Sequence, residues 1–187
     1  IIKIIKNTKI LTIHRIGKYI IFELNNNYSL IFHFGMSGRF QISKIDNYLP
    51  IKHDHILIFI SSNKILSYND PRKFGFVDLI ASKEVYQKTY ISKLGLDPFD
   101  KKLTNNYLFE KIRFSSVPIK QILLDQRIIA GIGNIYASEI LFDAKISPFI
   151  QGSCLDVISL KRLIKSIRKI LKQAIKSGGT SIRNYIS

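Results

Sequence analysis

Apolar and polar positions over residues 1–80 come in short runs broken by turn-forming residues. Lys18-Tyr-Ile-Ile-Phe-Glu-Leu24 reads as a strand, Asn25-Asn26-Asn27 as a turn, and Ser29 to Phe34 as the returning strand. His55-Ile-Leu-Ile-Phe-Ile60 and Lys64 to Tyr68 predict a second hairpin around Ser61-Ser62-Asn63. Short strands joined by tight turns predict an antiparallel β-sandwich over residues 1–98. The apolar runs are too dense to assign which side chains face inward.

The pattern changes around Gly95-Leu-Asp-Pro98, where a domain boundary is placed; residues 99–187 read as helical, which makes the whole an α+β protein. Asn105 to Phe114 is one predicted helix. Pro118 to Asp125 is a second, with proline tolerated in a first turn. Ala130-Gly-Ile-Gly-Asn134 breaks the periodicity, and Ile135 to Ala144 resumes it with Asn134 as the expected N-cap. A last helix is predicted from about Ser159 to Lys176. Leu160, Leu163, Ile164, Ile167, Leu171 and Ile175 fall on one stripe, and Gly178-Gly179 ends it. Lys161, Arg162, Lys165, Arg168, Lys169, Lys172 and Lys176 occupy its other faces, a pattern that reads first as a solvated surface over a bundle core.

Composition narrows the partner. The 187 residues are 46% hydrophobic, which argues against disorder. No apolar run approaches the roughly 20 residues of a membrane span, and nothing resembles a signal peptide, so the expected setting is the cytoplasm and no membrane. Cys154 is the single cysteine, so no internal disulfide and no cysteine-built zinc site can form within these residues. The net charge is +16. Frequent Ile, Lys and Asn fit an AT-rich genome, but that bias also permits Glu, and acids remain scarce. Residues 1–98 carry a net +7 and residues 99–187 a net +9, so basicity is not confined to a tail; it fits a nucleic acid lying across both halves.

Gly131-Ile-Gly-Asn134 before a helix is the sharpest local signal. Two glycines permit close backbone approach, and amides at a helix N-terminus can hold a phosphate. Alone, such a turn is usually just a turn, and it follows a helix rather than a strand, so it is no dinucleotide fingerprint. In context, Gln126 to Phe142 (QRIIAGIGNIYASEILF) resembles the helix–two-turn–helix element of the formamidopyrimidine-DNA glycosylase and endonuclease VIII superfamily. Ile16-Gly-Lys-Tyr-Ile20, His33-Phe-Gly-Met-Ser-Gly38, Lys52-His-Asp-His55 and Tyr68-Asn-Asp-Pro-Arg-Lys-Phe-Gly75 match further motifs of that family in order. So do Ile119-Lys-Gln-Ile-Leu-Leu-Asp125 and Gly178-Gly-Thr-Ser-Ile-Arg-Asn-Tyr185. The resemblance implies an N-terminal β-sandwich and a helical domain with DNA between them. It also implies a monomeric base-excision repair enzyme, glycosylase and AP lyase, acting on oxidised purines in double-stranded DNA.

The resemblance implies site residues as well. Met36, Arg72 and Phe74 fall where formamidopyrimidine-DNA glycosylases carry the side chains that fill the hole left by an extruded base. Arg72 would pair with the orphaned cytosine and Phe74 would wedge between bases. Without that context, Met36 and Phe74 read as core residues and Arg72 as a surface cation. Lys18, His53 and Asn134 match residues that grip backbone phosphates, and Lys120 matches a lysine near the lesion pocket. Taken alone, Lys18 is a strand lysine and Lys120 a helix lysine.

The family's chemistry uses an N-terminal proline followed by glutamate, and its zinc sits in a C-terminal finger with four cysteines. Neither lies within these residues, and most of the loop that closes over the lesion is missing too. The chain starts at Ile1 and stops at Ser187, so it is expected to be a central fragment, inactive by itself. Two other readings stand beside this one: a catalytically dead, truncated DNA-binding relative, and a metal-dependent hydrolase using His53, His55 and Asp70.

Overall fold

The computed structural model describes residues 2–60 and 63–179. Two compact units divide at Lys88/Thr89. That division precedes the sequence boundary at Pro98 by ten residues, because the Gly95 region is tied to the helical unit. The Gly95 N–H donates to the Gln126 carbonyl at 2.8 Å, and Leu96 bridges Ile129 in a parallel pairing.

The N-terminal unit opens with a short helix, α1 (Ile2–Ile5). The strands that follow are β1 (Ile10–Ile16), β2 (Tyr19–Leu24), β3 (Tyr28–His33), β4 (Arg39–Lys44), β5 (Asp54–Ile60), β6 (Lys64–Asn69) and β7 (Phe76–Ala81). They form two antiparallel sheets, ordered β1-β2-β3-β7 and β4-β6-β5. Phe22, Leu30 and Phe32 of the first sheet pack against Leu66 and Tyr68 of the second. Phe32 meets Phe40 edge-on across the sandwich at 4.9 Å, a geometry that the aromatic quadrupole favours. Both predicted hairpins are present, and their strands begin and end within about a residue of the sequence reading. Ser61 and Ser62 of the second turn lie outside the described residues.

Side-chain facing was hard to read for a physical reason: Leu30, Ile31 and Phe32 are consecutive and all buried, as are Ile21 and Phe22. Central strands buried on both faces lose the alternation that marks a half-exposed strand. Strands β1 and β4 escaped the sequence reading for the opposite reason. Neither has a fully buried side chain: β1 interleaves exposed Leu11 and Ile13 with Thr12, His14 and Arg15, and β4 sets Phe40 and Ile42 among polar residues.

The C-terminal unit consists of α2 (Thr89–Ser92), α3 (Asn105–Ile112), α4 (Ile119–Leu124), α5 (Asn134–Ala144) and α6 (Val157–Lys176). The Thr104 hydroxyl caps α3 by accepting from the Tyr107 N–H at 3.2 Å. Asp156 caps α6 by accepting from the Ser159 N–H at 2.7 Å, so the helix begins at Val157, two residues before the predicted start. Leu160, Leu163 and Ile167 on α6 are 0% exposed, and burying each is worth about 2 kcal/mol before entropy. Ile175, expected on the same stripe, is 68% exposed because the helix by then has passed the core. The Gly179 N–H returns to the Ala174 carbonyl at 2.8 Å, closing the helix where the glycine pair predicted. No helix among the described residues is long and apolar enough to cross a membrane.

Candidate functional site

Antiparallel connection brings several loops to one end of the sandwich. Ile16 pairs with Tyr19, so Gly17 and Lys18 form the β1–β2 turn, and Lys18 sits in that turn rather than in the strand where the sequence placed it. Tyr19 pairs with His33, and His33 with Phe76, which carries the same end into the β3–β4 and β6–β7 loops. Arg39 and Asp54 both pair with Asn69, adding the segment that leads into β5.

Around this end lie Lys18, Met36, His53, Arg72 and Phe74. Lys18 is exposed, yet nearby chain desolvates its ammonium and lowers its pKa below the ordinary lysine range. His33 stacks on Phe76 at 5.6 Å. Burial first, and then the charge of Lys18, lower its pKa and so favour the neutral ring. Its Nδ1 accepts the Gly35 N–H at 3.1 Å.

Met36 is 68% and Phe74 57% exposed, which removes the core reading of both. The Arg72 guanidinium lies over the Phe74 ring, 4.7 Å from its centroid. Between them Lys73 takes φ +56°, an uncommon conformation for a residue with a side chain. The two loops touch closely. A Cβ on Gly35 would stand 2.5 Å from the Phe74 carbonyl carbon, and one on Gly75 1.9 Å from the Tyr68 hydroxyl.

A carboxylate organises these loops. Asp70 is 1% exposed, and Ser37 donates to its Oδ1 at 2.5 Å while the Gly75 N–H donates to Oδ2 at 2.8 Å. Ser37 Oγ in turn accepts the Arg72 N–H at 3.1 Å. Burial raises the Asp70 pKa, but these donors together outweigh it and hold the carboxyl below its ordinary value. His53 has φ +76°, and its carbonyl accepts the Asp70 N–H at 3.1 Å.

The metal-hydrolase reading fails on this geometry. The Asp70 carboxylate is committed to Ser37 and Gly75, and His55 Nε2 faces the Asp70 backbone carbonyl at 2.9 Å instead. Among the described residues no group of three His, Cys, Asp or Glu side chains is arranged to hold a metal.

Lys120 and Asn134 belong to the C-terminal unit. Lys120 is half-buried in the first turn of α4, which Pro118 precedes as the cap rather than joining. Asn134 is exposed and is the first residue of α5; Gly133 is the cap, one position earlier than expected. The α4–α5 connection is built by two side chains. The Asp125 carboxylate accepts the Arg127 N–H at 2.9 Å, forming a local turn. Gln126 accepts the Gly131 N–H at 2.8 Å and donates to the carbonyls of Leu124 at 2.8 Å and Ile132 at 3.0 Å. The roles of Ser37 and Gln126 were not read from the sequence, and Asp70 was singled out there only as a metal ligand. Gln126 stood inside the quoted motif, and a polar residue before an apolar turn was the available signal.

Comparison with known proteins fits this arrangement. A family model described as the formamidopyrimidine-DNA glycosylase N-terminal domain matches residues 1–77, and one described as the formamidopyrimidine-DNA glycosylase H2TH domain matches residues 94–185. The chain belongs to the formamidopyrimidine-DNA glycosylase family. Two members of this family, the formamidopyrimidine-DNA glycosylases of Rickettsia africae and Rickettsia felis, are 42% and 43% identical to the chain over 183 residues. Those residues are 98% of this chain and 66% of each relative, so the chain spans about two thirds of their length. Among solved structures, Lactococcus lactis Fpg in complex with abasic-site DNA superposes with a TM-score of 0.90 at 38% identity, covering 98% of this chain and 67% of that one. The same enzyme with DNA containing FAPY-dG superposes at 0.87 and 37% identity, covering 95% and 66%.

Proposed function

We propose that the native protein is a DNA repair glycosylase and AP lyase that excises oxidised purines, such as 8-oxoguanine and formamidopyrimidines, from double-stranded DNA. The Lactococcus relative's complexes with abasic-site and FAPY-dG DNA support that substrate class. In the mechanism that family membership suggests, a secondary amine at the mature N-terminus attacks the sugar C1′ and expels the base as an imine forms. The imine acidifies the sugar, and β- then δ-elimination cuts the strand, with a glutamate moving protons. No residue described here takes the part of that amine, so the chain by itself is inactive; its residues recognise and hold DNA. Lys18, His53 and Asn134 contact backbone phosphates, and Lys120 lies near the lesion pocket. The protein works as a monomer in the cytoplasm, and its zinc sits in a C-terminal finger that these residues do not contain.

The observation that carries this reading is the exposure of Met36, Arg72 and Phe74 on two neighbouring loops. An apolar side chain left at 68% exposure beside a stacked Arg–Phe pair gains from entering a duplex vacated by one base. Arg72 supplies hydrogen-bond donors toward an orphaned cytosine. The test is excision of 8-oxoguanine opposite cytosine and opposite adenine by the native protein and by Arg72→Ala. The native protein prefers cytosine, and the variant loses at least tenfold of that preference. A preference unchanged in Arg72→Ala contradicts the assignment.

A further inference from the structure

We propose that Asp70 is a positioning residue that locks the Met36 loop and the Arg72–Phe74 loop at one spacing, so that the three side chains enter the duplex as a unit. The inference rests on the void-filling reading above and adds to it the group that sets its geometry. Asp70 is the last residue before the β6–β7 loop turns, and it is almost inaccessible to solvent. Its bonds reach several separate segments. Ser37 on the β3–β4 loop holds one carboxylate oxygen, and Gly75 beyond Phe74 holds the other. Its backbone N–H donates to the carbonyl of His53, and its carbonyl accepts from Lys73 and faces His55 Nε2.

The inserted side chains are each next to one of these bonds. Met36 precedes Ser37, Phe74 precedes Gly75, and the N–H of Arg72 is held by the same Ser37 hydroxyl that donates to Asp70. The hydroxyl thus works in both directions on the β6–β7 loop: it accepts from Arg72 and donates to the Asp70 carboxylate at that loop's base, which ties the β3–β4 loop to it twice. A carboxylate suits the task because every group aimed at it is a donor. An asparagine keeps the shape but offers an amide N–H₂ to one of those donors. The Gly75 N–H cannot reverse. Only Ser37 can adapt, by accepting from both the amide and Arg72, which exchanges the charge-assisted bond to a carboxylate for a weaker neutral one and leaves the hydroxyl hydrogen without its acceptor.

The experiment uses the native protein, a duplex with a tetrahydrofuran abasic analogue opposite cytosine, and the matched undamaged duplex. Affinity for both is measured for wild type, Asp70→Asn, Ser37→Ala and Ser37→Thr, with a thermal melt of each. Wild type prefers the analogue duplex. Asp70→Asn and Ser37→Ala lose about tenfold of that preference while their affinity for undamaged duplex stays within twofold. Ser37→Thr, which keeps the hydroxyl, restores the preference. Preference kept in both Asp70→Asn and Ser37→Ala overturns the positioning role and leaves the void-filling reading standing. Equal loss on both duplexes also overturns it, because that is the mark of general misfolding. Absence of any preference in wild type overturns the void-filling reading and this inference with it.

Discussion

Replacing Gln126 with alanine tests whether the α4–α5 connection is braced as the geometry indicates. The side chain makes three hydrogen bonds to backbone groups, at 2.8, 2.8 and 3.0 Å, and it is half-buried. A typical intramolecular hydrogen bond contributes about 1 kcal/mol net, and leaving a buried partner unpaired costs more. Water reaches part of this site and recovers some of the loss, so Gln126→Ala is expected to cost about 1.5–3 kcal/mol. Urea unfolding measures this as a lower midpoint at unchanged slope. Gln126→Glu sharpens the test. It keeps an acceptor for the Gly131 N–H but turns a second carboxylate oxygen on the carbonyls of Leu124 and Ile132. That environment raises the glutamate pKa in the folded state, so the penalty is largest at neutral pH and eases as pH falls and the group protonates. A cost below about 0.5 kcal/mol for the alanine variant refutes the brace, because the three bonds would then be no better than those made to water.

Other outcomes follow from the same geometry. Duplex binding by the chain should weaken with salt at a log–log slope of roughly −3 to −4, from about three or four phosphate contacts at about −0.9 each. Asn134→Ala should weaken binding at all salt concentrations, whereas Lys176→Ala should matter only at low salt, where long-range attraction is unscreened. Equal losses from the two would mean that binding is diffuse charge alone. The Tyr48 hydroxyl donates to Asp54 Oδ2 at 2.5 Å, and that bond above all pushes its pKa up to about 12. While Asp54 is ionised, stability from this bond is therefore complete up to about pH 10 and is lost as pH rises through about 12. The tyrosinate absorbance difference between wild type and Tyr48→Phe should show this late ionisation, and Asp54→Asn should bring it back toward pH 10.

Much of this molecule is legible in its residues, but unevenly. The hairpins joined by Asn25-Asn26-Asn27 and at Asn63 were readable because turn residues interrupt strongly apolar runs. The α6 stripe was readable from Leu160 to Ile167 because a helix over a core must repeat its apolar positions. Edge strands such as β4, with its Arg39, Gln41, Ser43 and Lys44, carry no such signal. Met36 and Phe74 show the limit best. Composition assigns them to a core, and only the motif around them, and then the loops that hold them at the surface, reverse that. The links from Asp70 to Ser37 and Gly75 join residues 33 and 5 positions apart in a three-dimensional loop cluster, and no local pattern announces such a connection.

The most direct test of the account is borohydride trapping of the native protein on duplex DNA carrying 8-oxoguanine opposite cytosine. A covalent protein–DNA product formed through an amine at the mature N-terminus is expected, with the strand cut in parallel reactions without borohydride. The 187-residue chain alone should bind the same duplex and form no such product. A native protein that binds this DNA but gives no trapped product and no cleavage contradicts the enzyme reading, and leaves a DNA-binding relative without catalysis.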